Sequence, residues 1–575
     1  MKRLYIYLRD YKKECVLAPL FKMLEASFEL IVPLVMAAII DTGIEHGDKS
    51  YIVNMCLILV GLGIIGLVCS VIAQFYSAKA AVGFATKLRH ALFAHLMNLS
   101  FNEIDTLGTS TMITRMTSDV NQTQTGVNMV LRLFLRSPFV VFGAMIMAFT
   151  IDTKSAWIFL IAIILLSIVV FGIMAISIPM LKRVQKNLDS VLQITRENLL
   201  GTRVIRAFRR EEKERREFYQ RNGELTRKQK RAGFLSALMN PVTYVIINIA
   251  TAYLIWVGAV QVDYGALTRG QVIALYSYMS QILIELIKLA NLIITVNKSV
   301  ACANRVADVF DITNSMENVN NGILNLEKEG SIEFRNVSLE YQGAGEESLS
   351  DIDFTVKKGQ TIGIIGGTGS GKSSLVNLLP RFYDVTKGEV LLGGKNIKDY
   401  PIKELRDNIG IVMQKAVMFQ GTIESNLYFG KNEAGIEEME EAIEIAQATD
   451  VVNAKGGLEA SIEQGGRNLS GGQKQRLSIA RALVKKPEIL ILDDSASALD
   501  YATDARLRSA IKSLSYQPTV FIVSQRASSI LYADLILVLE DGRLVGKGTH
   551  SELIDNCEVY QEIYYSQFPK EVKAL

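Results

Sequence analysis

The chain has 575 residues, 49% of them hydrophobic and 21% charged, with a formal net charge of +3. It is too long for one ordinary domain and too apolar for a uniformly soluble protein. Its overall charge is too close to neutral to point to nucleic acid. The five cysteines, Cys15, Cys56, Cys69, Cys302 and Cys557, are scattered without metal-ligand spacing and read as reduced thiols.

The N-terminus, Met1–Lys13, is basic and aromatic, and no short apolar core with a cleavage site follows it. It predicts an amphipathic entry helix at a membrane surface. A spanning helix needs ~20 apolar residues. Tyr51–Ala78, Ser155–Pro179 and Ala232–Val262 meet this without a charge. Three further spans carry charges. They are Cys15–Ile40 with Lys22, Glu25 and Glu29, Val127–Ile151 with Arg132 and Arg136, and Gln271–Val296 with Glu285 and Lys288. An even number of spans leaves both chain ends on one side.

The long loops are rich in bases, with Arg203, Arg206, Arg209, Arg210, Lys213, Arg215 and Arg216 crowded together, and the loops opposite are short. The positive-inside rule puts the long loops, both termini and everything after about residue 300 in the cytoplasm. Lys79–Gly126 and Lys182–Gly233 lack strand alternation and have few breakers. They predict spanning helices that continue into the cytoplasm and turn back there, near Phe101–Asp105 and Arg209–Arg216. Ionisable groups at membrane depth are costly and face a cavity or each other. For Glu25, Glu29 and Glu285 both readings stand: a polar patch on a substrate pathway, or salt bridges between helices. For Arg132 and Arg136 the structural reading is favoured.

The composition changes near residue 300. The expected organisation is a membrane domain at 1–303, a polar linker at 304–330, an α/β domain at 331–568 and a tail at 569–575. The apolar run Thr361–Ile365 leads into Gly366-Gly367-Thr368-Gly369-Ser370-Gly371-Lys372-Ser373, and a helix is expected from Ser374. This fits G-x-x-x-x-G-K-S. Glycines let backbone N–H groups wrap phosphates, Lys372 reaches the β/γ-phosphates, and the Ser373 hydroxyl suits Mg²⁺. A second apolar strand, Ile489–Leu492, ends in Asp493-Asp494, and Asp493 stands where such sites hold the metal.

With Leu469-Ser470-Gly471-Gly472-Gln473 set just before the helix that leads to Asp493, the chain resembles the ATP-binding-cassette transporters along essentially its whole length. The resemblance implies an all-α six-helix transmembrane domain followed by an α/β P-loop nucleotide-binding domain, with ATP and Mg²⁺ as cofactors. It implies that residues 469–473, with Asp500, act across a dimer on ATP held by a partner. It assigns Tyr341 to adenine stacking, Ser374 to the phosphate loop, and Gln414 to sensing Mg²⁺. Gly421-Thr422-Ile423 with Asn426-Leu427, and the segment Glu197–Phe208, resemble the exporter branch. The implied setting is the plasma membrane, with a small amphiphilic substrate and no nucleic acid.

Two departures matter. Asp494 stands where the family has Glu as the base that polarises water. Its carboxylate is set back by one C–C bond, ~1.5 Å or less, and misplacement of about 1 Å can cost roughly 10²-fold in rate. Gln525 stands where the family has a switch histidine, and it cannot carry the same charge or titrate. Gln464 replaces a commonly acidic residue. The signature is intact. This combination resembles the degenerate-site subunit of bacterial heterodimeric multidrug exporters, whose partner is a second, non-identical half-transporter. Lipid or peptide export, and an ATP-gated channel or regulator, are the alternatives.

Overall fold

The computed structural model describes residues 2–316 and 331–568. The tail 569–575 and residues 317–330 of the expected linker lie outside them. The chain divides into two compact units, Met1–Met97 with Ser110–Ile312, and Asn98–Thr109 with Thr313–Leu575.

The first unit is built from six long helices: α1 (Leu4–Ile44), α2 (Lys49–Met97), α4 (Thr109–Ile151), α5 (Thr153–Leu200), α7 (Glu211–Asp263) and α8 (Arg269–Phe310). Short helices α3 (Phe101–Leu107) and α6 (Thr202–Ala207) lie between them. Each expected span falls in one long helix. Composition explains the lengths. Apolar runs favour helix in lipid because every backbone group must be paired internally, and the flanking charged sequence has few breakers, single glycines such as Gly83 and Gly223 that the helices run through. Gly108 (φ +71°) ends α3, and Arg209 (φ +52°) closes the turn after α6. That second turn therefore falls at residues 208–210, at the leading edge of the expected Arg209–Arg216. Helix α8 runs past residue 303, where the linker was expected to begin.

The helix starts are chemically marked. The Asp152 carboxylate accepts the Ser155 N–H (2.7 Å), and Thr268 and Gln271 cap α8 reciprocally. Leu30, Ala144, Phe159, Leu254, Tyr278 and Ile282 belong to one buried cluster shared by five of the long helices. The buried Tyr278 hydroxyl donates to the Leu30 carbonyl (2.6 Å).

The second unit carries two main sheets. The strands are β1 (Ile332–Glu340), β2 (Glu347–Val356), β3 (Thr361–Gly366), β4 (Lys387–Leu392), β5 (Lys395–Asn396), β6 (Ile409–Val412), β7 (Gly421–Thr422), β8 (Ser461–Ile462), β9 (Ile489–Asp493), β10 (Thr519–Val523), β11 (Leu535–Glu540) and β12 (Arg543–Gly548). One sheet has the order β2-β1-β4-β5, the other β12-β11-β3-β10-β9-β6, and β7 pairs with β8. In the larger sheet β11, β3, β10, β9 and β6 run parallel. Its central strands are continuous apolar runs, as strands buried on both faces must be. Because β3, β10 and β9 are neighbours and parallel, Gly366, Ser524 and Asp493 emerge side by side at their carboxyl ends.

Candidate nucleotide site and membrane cleft

The loop after β3 turns through Gly369 (φ +85°) and Gly371 (φ +91°), a backbone that side chains strain. A Cβ on Gly371 would also lie 2.8 Å from the Ser348 carbonyl oxygen. Helix α9 (Lys372–Asn377) follows, starting two residues before the expected Ser374. The Lys372 ammonium folds back on the loop, donating to the carbonyls of Gly366 (3.0 Å) and Gly367 (2.5 Å) and to Ser370 Oγ (3.2 Å). Ser373 Oγ donates to Asp493 Oδ1 at 3.0 Å. Gln414 Nε2 stands 3.5 Å from Asp494 Oδ2, and Asp494 takes a left-handed backbone (φ +46°).

Residues 368–374, Gln414, Asp493, Asp494 and Gln525 line one cavity of about 800 Å³. Burial pushes the Lys372 pKa down, against the pull of Asp494 and Asp493. Burial also pushes the Asp493 carboxyl up, against the hydrogen bond from Ser373. Both shifts mark charges that lack full compensation. Ser373 Oγ, Asp493 and Gln414 form a set of hard oxygen donors, which fits Mg²⁺ rather than zinc. Among the described residues no group of three or more His, Cys, Asp or Glu is arranged to hold a metal, so a metal here would take phosphate oxygens as further ligands.

Tyr341 does not line this cavity. It reaches the loop indirectly, its hydroxyl donating to Ser374 Oγ at 2.9 Å. Its ring meets Tyr383 edge-on, with centroids 4.9 Å apart at 88°. The Tyr383 hydroxyl donates to Asp105 Oδ2 at 2.6 Å, and Phe101 stacks on Phe382 at 4.3 Å. Sequence reading marked the 100–106 region as a turning point but missed Phe382 and Tyr383. The only local signal is an aromatic pair shortly after α9.

Leu469–Gln473 also stand outside the cavity. Ser470 caps helix α10 (Gly471–Leu483), its Oγ accepting the Gln473 N–H (3.3 Å) while Gln473 Oε1 accepts the Ser470 N–H (2.9 Å). Gly472 has no room for a Cβ, which would lie 2.9 Å from the Ala498 carbonyl oxygen. Asp500 caps α11 (Tyr501–Lys512), accepting the Thr503 N–H at 2.9 Å, and this hydrogen bond holds its carboxyl below the usual range.

In the helical unit the charges separate into two sets. Glu285, its side chain 4% exposed, binds Arg136 (2.6 Å), Ser137 Oγ (2.9 Å) and Lys288 (2.8 Å). Arg136 also binds Glu29 at 2.6 Å. Glu25 pairs with Lys22 at 2.5 Å, and Lys22 also donates to Ser70 Oγ at 3.1 Å. Glu25 and Glu29 line a cleft of about 540 Å³ walled by Phe28, Leu59, Leu62 and Leu67. Arg136 also lines it, and Glu285 does not.

The family model for the ABC transporter transmembrane region matches residues 15–286, and the model described as ABC transporter matches residues 349–497. The chain is 34% identical to the ABC transporter ATP-binding protein YfiB of Bacillus subtilis (strain 168), with 99% of each chain covered. The chain belongs to the ABC transporter family.

It is an ABC exporter chain, membrane-embedded through six helices, whose ATPase domain binds ATP and couples its hydrolysis to transport. It is 32% identical to the putative multidrug export ATP-binding/permease protein YgaD of Bacillus subtilis (strain 168), covering 99% of each. It is 27% identical to the ATP-dependent lipid A-core flippase of Vibrio vulnificus (strain CMCP6), covering 99% of this ABC transporter and 97% of that protein. Its fold matches a bacterial Atm1-family ABC exporter solved with ATP bound, at TM-score 0.80 and 23% identity, covering 98% and 99% of the two chains.

Proposed function

We propose that this chain is one subunit of a heterodimeric exporter that moves amphiphilic, drug-like molecules out across the plasma membrane, with both termini and the ATPase domain in the cytoplasm. In this reading Lys372 binds the β/γ-phosphates and Tyr341 stacks on adenine. Ser373, Asp493 and Gln414 hold Mg²⁺, which when bound neutralises phosphate charge. Glu25 and Glu29 belong to the substrate path, and the loops at 100–106 and 209–216 carry motion between ATPase and membrane domains.

The observation that carries the asymmetric part is a division of labour. The two altered hydrolytic positions, Asp494 and Gln525, line this chain's own phosphate cavity, while the intact signature Leu469–Gln473 stands outside it. A signature outside its own cavity can act only on a second cassette, and its preserved chemistry is useful only if that cassette is competent. ATP held by Lys372 would persist over many cycles. Hydrolysis would occur opposite, against Ser470 and Gly472, in a non-identical half-transporter with Glu and His at the two altered positions.

Two variants of the assembled exporter test this. Asp494→Ala should lower ATP turnover less than about threefold, and Ser470→Arg should nearly abolish it. Equal damage from both, or vigorous ATPase activity from a homodimer of this chain, contradicts the asymmetric reading. Lipid export is the second reading, favoured by the likeness to a lipid flippase. ATP-driven flux of fluorescent lipid against that of a cationic dye in sealed vesicles separates the two.

A further inference from the structure

Four side chains join the adenine position to the segment between α2 and α4. Ser374, next to the phosphate-binding residues, accepts the Tyr341 hydroxyl hydrogen bond at 2.9 Å. Tyr341 packs against the edge of Tyr383 at 4.9 Å and 88°. Tyr383 donates to Asp105 at 2.6 Å across 278 residues of sequence. Beside this bond Phe101 stacks on Phe382, and the Arg406 guanidinium lies over the Phe382 ring, 5.2 Å from its centroid.

An aromatic platform binds a base well only if its plane is fixed beforehand, because ordering a side chain on binding costs affinity. The Tyr341 plane is set at its hydroxyl by Ser374 and at its ring by Tyr383. Tyr383 is fixed in turn by a charge-assisted bond to Asp105, the stronger kind of hydrogen bond. Burial, reinforced by Asp105, pushes the Tyr383 hydroxyl pKa up, so it stays a donor throughout the physiological range.

We propose that Tyr383 is a positioning residue for adenine, which makes ATP affinity depend on docking of the Phe101–Leu107 segment through Asp105. This rests on the reading of Tyr341 as the adenine platform. Binding linkage is reciprocal, so adenine on Tyr341 must strengthen the docking of Phe101–Leu107 by the same factor. That segment follows α2 directly in the chain, so the base, and not only the phosphates, would report occupancy to a membrane-spanning helix.

The test uses the purified full-length chain in lipid nanodiscs, with Mg–ATP and inorganic triphosphate as probes. Tyr383→Phe keeps the ring edge and removes the donor. It should weaken ATP binding roughly three- to tenfold, only part of the worth of one hydrogen bond to a charged group because Tyr383 acts through Tyr341, and leave triphosphate binding unchanged. Asp105→Ala should do the same and Asp105→Asn, which keeps an acceptor, much less. The double variant Tyr383→Phe/Asp105→Ala should be no worse than either single one. In wild type ATP should slow amide exchange across 102–108 more than triphosphate does, and in Tyr383→Phe the two should act alike.

Wild-type ATP affinity in Tyr383→Phe, equal loss of ATP and triphosphate binding, or additive single effects would each overturn the inference. Lys372→Ala separates this from failure of the site itself, since it should weaken both probes. If it weakens neither, the nucleotide reading falls and takes this inference with it. If Lys372→Ala weakens both and Tyr341→Ala weakens ATP but not triphosphate, while Tyr383→Phe changes nothing, this inference alone is wrong; if Tyr341→Ala also leaves ATP binding unchanged, the platform reading falls with it.

Discussion

Arg136 and Lys372 are both buried cations flanked by two carboxylates in the sequence-distant parts of their units, and the fold satisfies them differently. Arg136 is bonded to Glu29 and Glu285 at 2.6 Å each, and Glu285 is held further by Ser137 and Lys288. Lys372 makes no ion pair within 4.0 Å among the described residues. It rests on neutral loop oxygens, and burial depresses its pKa. Asp493 shows the mirror image, a carboxyl raised by burial with one neutral hydroxyl donating to it. A charge matched by protein partners holds helices together. A charge left short of partners is a place where a ligand completes the electrostatics. Burial alone does not distinguish the two, but the partner list does.

The largest test of this contrast is Arg136→Ala. It strands Glu285 without its guanidinium and should cost about 3–5 kcal/mol, read as a lower denaturation midpoint in detergent, with ATP affinity kept in the folded fraction. Unchanged stability would break the comparison. Next comes Lys372→Ala, which should lower ATP affinity roughly 10- to 100-fold without lowering the midpoint of the nucleotide-free protein. A large loss of apo stability would place Lys372 with Arg136. Glu29→Gln sharpens the boundary between the two classes. Its side chain is 45% exposed in the cleft, so it should cost under about 1 kcal/mol while lowering transport of organic cations. Unchanged cation transport would assign Glu29 to the structural set.

The smallest effect is expected from Asp493→Asn. The folded chain holds the Asp493 proton better than the unfolded chain does, because burial raises its pKa. Stability from this group is therefore full below the ordinary Asp range and is lost as pH rises through the raised folded value. At pH 8 the nucleotide-free Asn variant should melt higher than wild type, at roughly 2–4 °C per kcal/mol relieved. The difference should shrink as pH falls towards 4. A lower melting point at pH 8 would show that Asp493 already has its counter-charge.

Local chemistry made much of this protein readable in its sequence. Lipid forces apolar runs into helix, so the six spans follow from composition. Buried parallel strands must be apolar, so the runs Thr361–Ile365 and Ile489–Leu492 were legible. Glycines at left-handed positions and a following Lys-Ser specify a phosphate loop whatever surrounds it. The departures at Asp494 and Gln525 are likewise visible in one dimension, because they are substitutions in a fixed motif. Other facts were not legible. Glu25, Glu29 and Glu285 looked equivalent, three carboxylates in apolar helices. The i,i+3 spacing already paired Glu285 with Lys288, but only packing brought Arg136 and Ser137 to Glu285 and left Glu25 and Glu29 on a cleft. Likewise nothing near Tyr383 in the chain announces Asp105. Sequence fixes what a residue can do through its neighbours in the chain, where spacing and backbone geometry act. The fate of a charge or a hydroxyl depends on which distant groups come within about 3 Å of it, and that is set only when the helices and sheets close around it.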